Sequence, residues 1–142
     1  MNTPRKRRGA IILWALLALP FANGVAAQSL LDGQRYVGDA GEKGKSADER
    51  NDVLTFAAGQ FHSAACDKWN FGKAAYRATR VGDAIAFEAE TVSDSDGRLV
   101  WRGTVKGDVL EGTFVHYRKP AWYRPNPEPV EHWVKAVRGR TP

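Results

Sequence analysis

Past the first thirty residues, apolar and polar positions alternate in short runs that Gly and Asp interrupt. The runs are rich in Val, Ile, Phe, Tyr, Trp and Thr, and no helical period lasts beyond two turns. That pattern predicts an all-β chain with hairpin connections. The stretch "VKGDVLEGTF" (105–114) can be tested by register. With Gly107-Asp108 as a two-residue type II′ turn, Lys106 faces Val109, Val105 faces Leu110, Gly103 faces Gly112 and Trp101 faces Phe114. One face then collects Leu99, Trp101, Gly103, Val105, Leu110, Gly112 and Phe114. The other collects Arg102, Thr104, Glu111, Thr113 and Tyr117. Such segregation is what a half-buried sheet requires.

"RVGDAIAF" (80–87) repeats the device. With Gly82-Asp83 as the turn, Ala78 faces Phe87, Arg77 faces Glu88 and Tyr76 faces Ala89. "SDSDG" (93–97) closes a longer loop between the two copies. Pairing Val92 with Arg98 across it sets Phe87 against Gly103, Glu88 against Arg102 and Ala89 against Trp101. Arg77, Glu88 and Arg102 then form an outer charge row. Each such pair contributes only about 0.2–1 kcal/mol, so the row matters as a register mark. Upstream, "DVLTFAAGQFHS" bends around Ala58-Gly59, with Phe56 facing Phe61 and Leu54 facing Ser63.

The pattern predicts eight strands, at about 34–39, 52–57, 60–65, 73–81, 84–92, 98–106, 109–118 and 130–138. The facing of the last is open: Val130, His132, Val134 and Ala136 form the more apolar set, but Trp133 competes for the core. The close connections are hairpins, so the order is an antiparallel up-and-down meander. A meander that is apolar on one face, with no helix to cover it, buries that face by closing into a barrel. Eight strands leave room for side chains or one small ligand. Gly103 and Gly112 would sit inside, where a strand bends or a ring needs space.

The N-terminus reads as an address. "MNTPRKRRG" is basic, "AIILWALLALPFA" is apolar, and "NGVAA" places Val25 and Ala27 where a signal peptidase reads. Residues 1–27 are thus expected to be a secretory signal, cleaved between Ala27 and Gln28, with residues 28–142 forming one domain. General secretion fits better than the twin-arginine route, because "GAII" after Arg7-Arg8 departs from that motif. The expected location is periplasmic or secreted.

Charge changes meaning once this segment is removed. The full chain carries 21 Lys and Arg against 16 Asp and Glu, a net of +5. Without Arg5, Lys6, Arg7 and Arg8 the balance is 17 against 16, a net of +1. No basic face remains to attract nucleic acid or an anionic membrane. Insertion of the barrel itself would need an apolar exterior, whereas Arg77, Glu88, Arg102 and Glu111 occupy that face. The single cysteine, Cys66, has no intramolecular disulfide partner, so stability must come from burial and backbone pairing.

The run "GRLVWRGTVKGDVLEGTF", the Gly-Asp hairpins and the meander after a signal segment resemble the calycin-like barrels: lipocalins, avidins and fatty-acid-binding proteins. The chain also resembles small bacterial secreted proteins sharing "LTF..G.F.S..C" and "W.G.V.GD.LEGT". The resemblance implies an eight-stranded barrel spanning most of residues 28–142. It departs from lipocalins at the first strand, where Gly-x-Trp is replaced by "GQRYVG" with Tyr36. The family's terminal arginine would correspond to Arg138. No avidin-like ligand pattern is present, so no ligand carries over.

Candidate chemistry is sparse. Cys66 follows His62 by four residues, a spacing that admits an imidazole-activated thiol; the alternative is a small buried hydrophobe. His116 is in phase with Phe114 and is expected inside, near a barrel end. With His132 it could meet a ligand or a metal, but without an acidic partner no metal site is expected. Glu88 and Glu90 lie outside, no Ser-His-Asp spacing recruits them, and neither an enzyme nor a cofactor is expected. "RKPAWYRPNPEPVE" (118–131) presents Trp122 and Tyr123 on a proline-stiffened segment. "GDAGEKGKSADERN" (38–51) reads as a long polar loop.

Two function classes follow. In the first, the barrel holds a small apolar ligand against Tyr76, Phe87, Trp101, Phe114 and His116, with Trp122 and Tyr123 at the mouth. In the second, the chain is an interaction module, such as an inhibitor of a secreted hydrolase, working through its loops. A purely structural envelope role is a further alternative.

Overall fold

Both Gly-Asp pairs turn where the pattern places them. Gly82 and Gly107 have φ of +62° and +59°, as the first position of a type II′ turn requires. Val81 pairs with Ala84, and Lys106 with Val109. The structure, a computed structural model, describes residues 29–139; the expected signal segment and its cleavage site lie outside them.

Eight strands run in order over the described residues: β1 (Arg35–Glu42), β2 (Glu49–Ala57), β3 (Gln60–Ser63), β4 (Ala74–Val81), β5 (Ala84–Ser93), β6 (Gly97–Lys106), β7 (Val109–Tyr117) and β8 (Val130–Arg138). Each pairs antiparallel with the next, and β8 returns to β1, closing the barrel. The expected registers are present, including Trp101 with Phe114, Phe87 with Gly103, Glu88 with Arg102 and Phe56 with Phe61. Arg77 Nε and Glu88 Oε1 are 3.2 Å apart on the exterior. Among the described residues no helix is long and apolar enough to cross a membrane.

Close approach of a neighbouring backbone or ring explains two of the inner glycines. A Cβ on Gly38 would lie 2.0 Å from the Lys135 carbonyl oxygen, and one on Gly103 would lie 2.7 Å from a Phe87 ring carbon. The first permits the β1–β8 seam; the second gives a ring its space.

Two expectations change and one open facing is settled. The segment 38–51 is mostly strand, with only 43–48 between β1 and β2. Asp39 accounts for this: it accepts from Arg50 Nη1 (3.2 Å) and the Asn51 amide (3.0 Å), tying both strands beside a register shift. The third strand ends at Ser63, because Ala64–Trp69 coil into a 3-10 helix. Its first turn is held by Asp52, which accepts the Ala65 amide at 2.9 Å. On β8, Val134 and Ala136 are buried, while Trp133 donates from Nε1 to the Lys45 carbonyl outside the barrel (3.0 Å).

The two barrel ends differ. Tight turns at 58–59, 82–83 and 107–108 gather at one end, and the longer connections 43–48, 64–73, 94–96 and 118–129 at the other. Toward the tight-turn end the lumen is filled by rings. Phe56 packs edge-on against Tyr76 and Phe87, each at 5.0 Å, and Phe61 lies 4.9 Å from Trp101. The residues before β1 fold over this end. Leu31 is buried and its amide donates to the Tyr76 hydroxyl (3.2 Å). That hydroxyl donates to Asp32 (2.7 Å), which also accepts the Gly59 amide (3.0 Å).

Candidate functional site

Above the packed rings, toward the longer connections, the lumen opens into a cup of about 500 Å³. Trp101 (β6) and Phe114 (β7) form its floor, with Leu99 beside them and Phe71 reaching in from the segment after the 3-10 helix. Trp101 is buried although it is the largest side chain in the lumen, and its indole N–H donates to Thr91 Oγ1 (3.2 Å). Its only polar atom is thereby satisfied, as a buried indole requires. The Trp101 and Phe114 rings lie 4.3 Å apart, and His132 stacks on Phe114 at 4.5 Å and 3°. Cross-strand pairing causes this, since Phe114 stands opposite both Trp101 and His132.

Two histidines line the cup. His116 Nε2 lies 2.8 Å from the Asp96 carbonyl oxygen, and His132 Nδ1 lies 3.2 Å from that of Val130. A carbonyl only accepts, so each of these nitrogens carries the proton; in the neutral ring the other is an acceptor. Burial, the largest influence, holds His132 below the usual imidazole value.

The wall from β2 and the 3-10 helix is acidic but internally satisfied. Asp52 is buried and accepts the Ser63 hydroxyl at 2.6 Å. Glu49 pairs with Lys68 Nζ at 2.6 Å. Cys66 Sγ sits 3.2 Å from Ser63 Oγ, and its thiol is pushed up to about 11, chiefly by burial. At neutral pH it is protonated and a poor nucleophile. His62 does not activate it, because that ring is on the outer side of β3 with Nε2 2.7 Å from Asp67.

The opposite wall is cationic. Arg118, Lys119 and Arg124 come from the connection between β7 and β8. Reciprocal backbone hydrogen bonds between Ala121 and Arg124 (3.0 and 2.9 Å) shape that connection. Lys119 Nζ donates to the Asp94 carbonyl (2.7 Å). Arg124 Nε is buried and has no hydrogen-bond partner.

Of the seven residues picked from the sequence, Trp101, Phe114 and His116 line the cup. Tyr76 and Phe87 belong to the packed half below it. Trp122 is 93% exposed and Tyr123 66%; they pack edge-to-face on each other at 5.6 Å and line no part of the cup. Leu99 was in the inward phase of its strand, so its place was readable; that of His132 was open, because Trp133 competed with its set for the core. Phe71 and Arg124 were not readable, since loops carry no period, whereas Arg118 stood at the end of the expected strand 109–118 in phase with Phe114 and His116. Among the described residues no three His, Cys, Asp or Glu side chains gather as a metal site. A second concavity, on the outside of β4–β7, is a shallow saddle of threonines and charges such as Arg77, Glu88 and Arg102. Arg138, across from Tyr36, is engaged by Asp108 (3.3 Å). The chain matches no protein-family model, no curated protein and no solved structure.

Proposed function

We propose that this chain is an exported, calycin-like carrier that holds one small molecule in the cup, without catalysis. The observation that supports it most is the division of the lumen. One half is filled by rings, whereas the other is an open cup of about 500 Å³ with an aromatic floor and a polar rim. That volume lies within the range of about 300–1,000 Å³ common for small-molecule sites. The protonated thiol of Cys66, with His62 turned away to Asp67, favours binding over covalent chemistry.

Native mass spectrometry of the protein from its own periplasm or culture medium tests the reading. The expected spectrum carries a single small-molecule adduct, absent from an Ala65→Trp variant that fills the cup wall. Bare protein alone in the wild-type spectrum, with no uptake of added apolar compounds, would sink the idea.

The exposed pair Trp122 and Tyr123 favours one second reading, capture of a secreted protein through the connection between β7 and β8. Replacing both by Ala separates the two. Loss of partner capture with ligand retention marks the second reading, and intact capture removes it.

A further inference from the structure

We propose that the occupant of the cup is an amphiphilic anion, with an apolar ring body on the floor and an oxyanion held by Arg118 and Arg124. The proposal rests on the carrier reading and names its ligand class.

Charges around the rim are equal in number but unequal in engagement. Glu49 is paired with Lys68, Asp52 accepts Ser63 and Ala65, and Asp96 accepts the Ser95 hydroxyl at 2.6 Å. Asp48 is the exception, and its charge acts on His132. On the cationic side, neither Arg118 nor Arg124 has a carboxylate within ion-pairing distance among the described residues: Arg118 acts on Glu42 only through its field, and the Arg124 guanidinium carbon lies 5.6 Å from the Tyr123 ring centre. The Nε–H of Arg124 is also cut off from water and unpartnered. A buried donor left unmade costs about 1–3 kcal/mol, more when charged. Such a group is kept at low cost if a ligand oxygen completes it. Guanidinium groups suit carboxylate, sulfonate or phosphate because their N–H donors form a planar fork.

The floor sets the other half of the molecule. Leu99, Trp101 and Phe114 offer no free polar group, since the Trp101 indole N–H is already bonded to Thr91. Rings or a short alkyl body fill such a surface, and the anion then reaches the rim. A neutral apolar ligand would leave the Arg124 donor unmet. A cation would face Arg118, Lys119 and Arg124.

Two dyes with one ring system test this. Anilinonaphthalene sulfonate carries the anion, and phenylnaphthylamine lacks it. Both are titrated by fluorescence into the folded chain at low salt. The sulfonate is expected to bind about tenfold tighter, and added sodium chloride to erode that preference by screening. In an R118Q/R124Q variant the ratio of the two affinities is expected to fall to about one. Equal affinities in the wild type, or a preference that survives salt and the double variant, would overturn the anion site while leaving the carrier reading intact. If neither dye binds, the carrier reading falls and takes the anion site with it. The salt titration needs only the wild-type chain, so it decides the matter even if the variant fails to fold.

Discussion

Cys66 shows how burial governs the chemistry of a single side chain. Its thiol is raised from 9.0 to about 11, chiefly by lost hydration, with Asp52, Glu49 and Asp67 adding negative charge nearby. Two units mean about 100-fold less thiolate at neutral pH. Labelling with a disulfide reagent should therefore be at least about 100-fold slower in the native protein than in urea. Equal rates would refute the raised thiol of this half-buried residue. The opposite sign of charge gives a second test at His132. Burial lowers its affinity for a proton below the ordinary value of 6.5, outweighing the Val130 carbonyl and the charges of Asp48 and Glu42, while His116 acts with burial. The unfolded chain thus takes up a proton at higher pH than the folded one. The stability tied to neutral His132 is complete above 6.5 and is lost as pH falls through the lower folded value. The thermal midpoint should drop between about pH 7 and 5, and His132→Gln should flatten that slope. An unchanged slope in the variant would assign the effect elsewhere.

At the scale of strands, the seam between β1 and β8 is the most demanding contact. Gly38 faces Ala136 there, and nothing larger than hydrogen fits. Gly38→Val should cost more than about 3 kcal/mol in urea unfolding, beyond ordinary overpacking, because backbone rather than a side chain must move. A loss below about 1 kcal/mol would mean that the seam adapts. The same seam explains where the sequence could be read and where it could not. Between Tyr76 and Phe114 large rings alternate with charges, so turns and registers followed from the pattern alone. Beyond Tyr36 in β1 and in early β2 the inward positions are Gly38, Ala40 and Asp52, which carry little apolar signal, and that stretch looked like a loop. "AACDKW" gave no helical period because a 3-10 helix this short completes too few turns to show one.

For the molecule as a whole, periodicity told which side chains enter the lumen but not at which level the lumen is full. That depends on material from outside the strands: Leu31 at one end, Phe71 and Arg124 at the other. Tyr76 therefore serves as a peg for the cover rather than as ligand wall. Tyr76→Phe keeps the ring but strips the partner from the Leu31 amide and from Asp32. It should lower unfolding free energy by about 1–3 kcal/mol and speed hydrogen exchange at Leu31. Exchange there as slow as in the wild type would show that the cover does not depend on the hydroxyl.

Gly139 donates its amide to the Arg35 carbonyl at 2.8 Å, beside the tight turns. Both flanks of the barrel thus depart from the base of the vessel, and its opening faces the other way. A protein immobilised by either flank would present an unobstructed brim to the solution. Rejoining the flanks and cutting between β7 and β8 would instead place the new ends beside the arginines, yielding a permutant whose terminal reporter senses what enters.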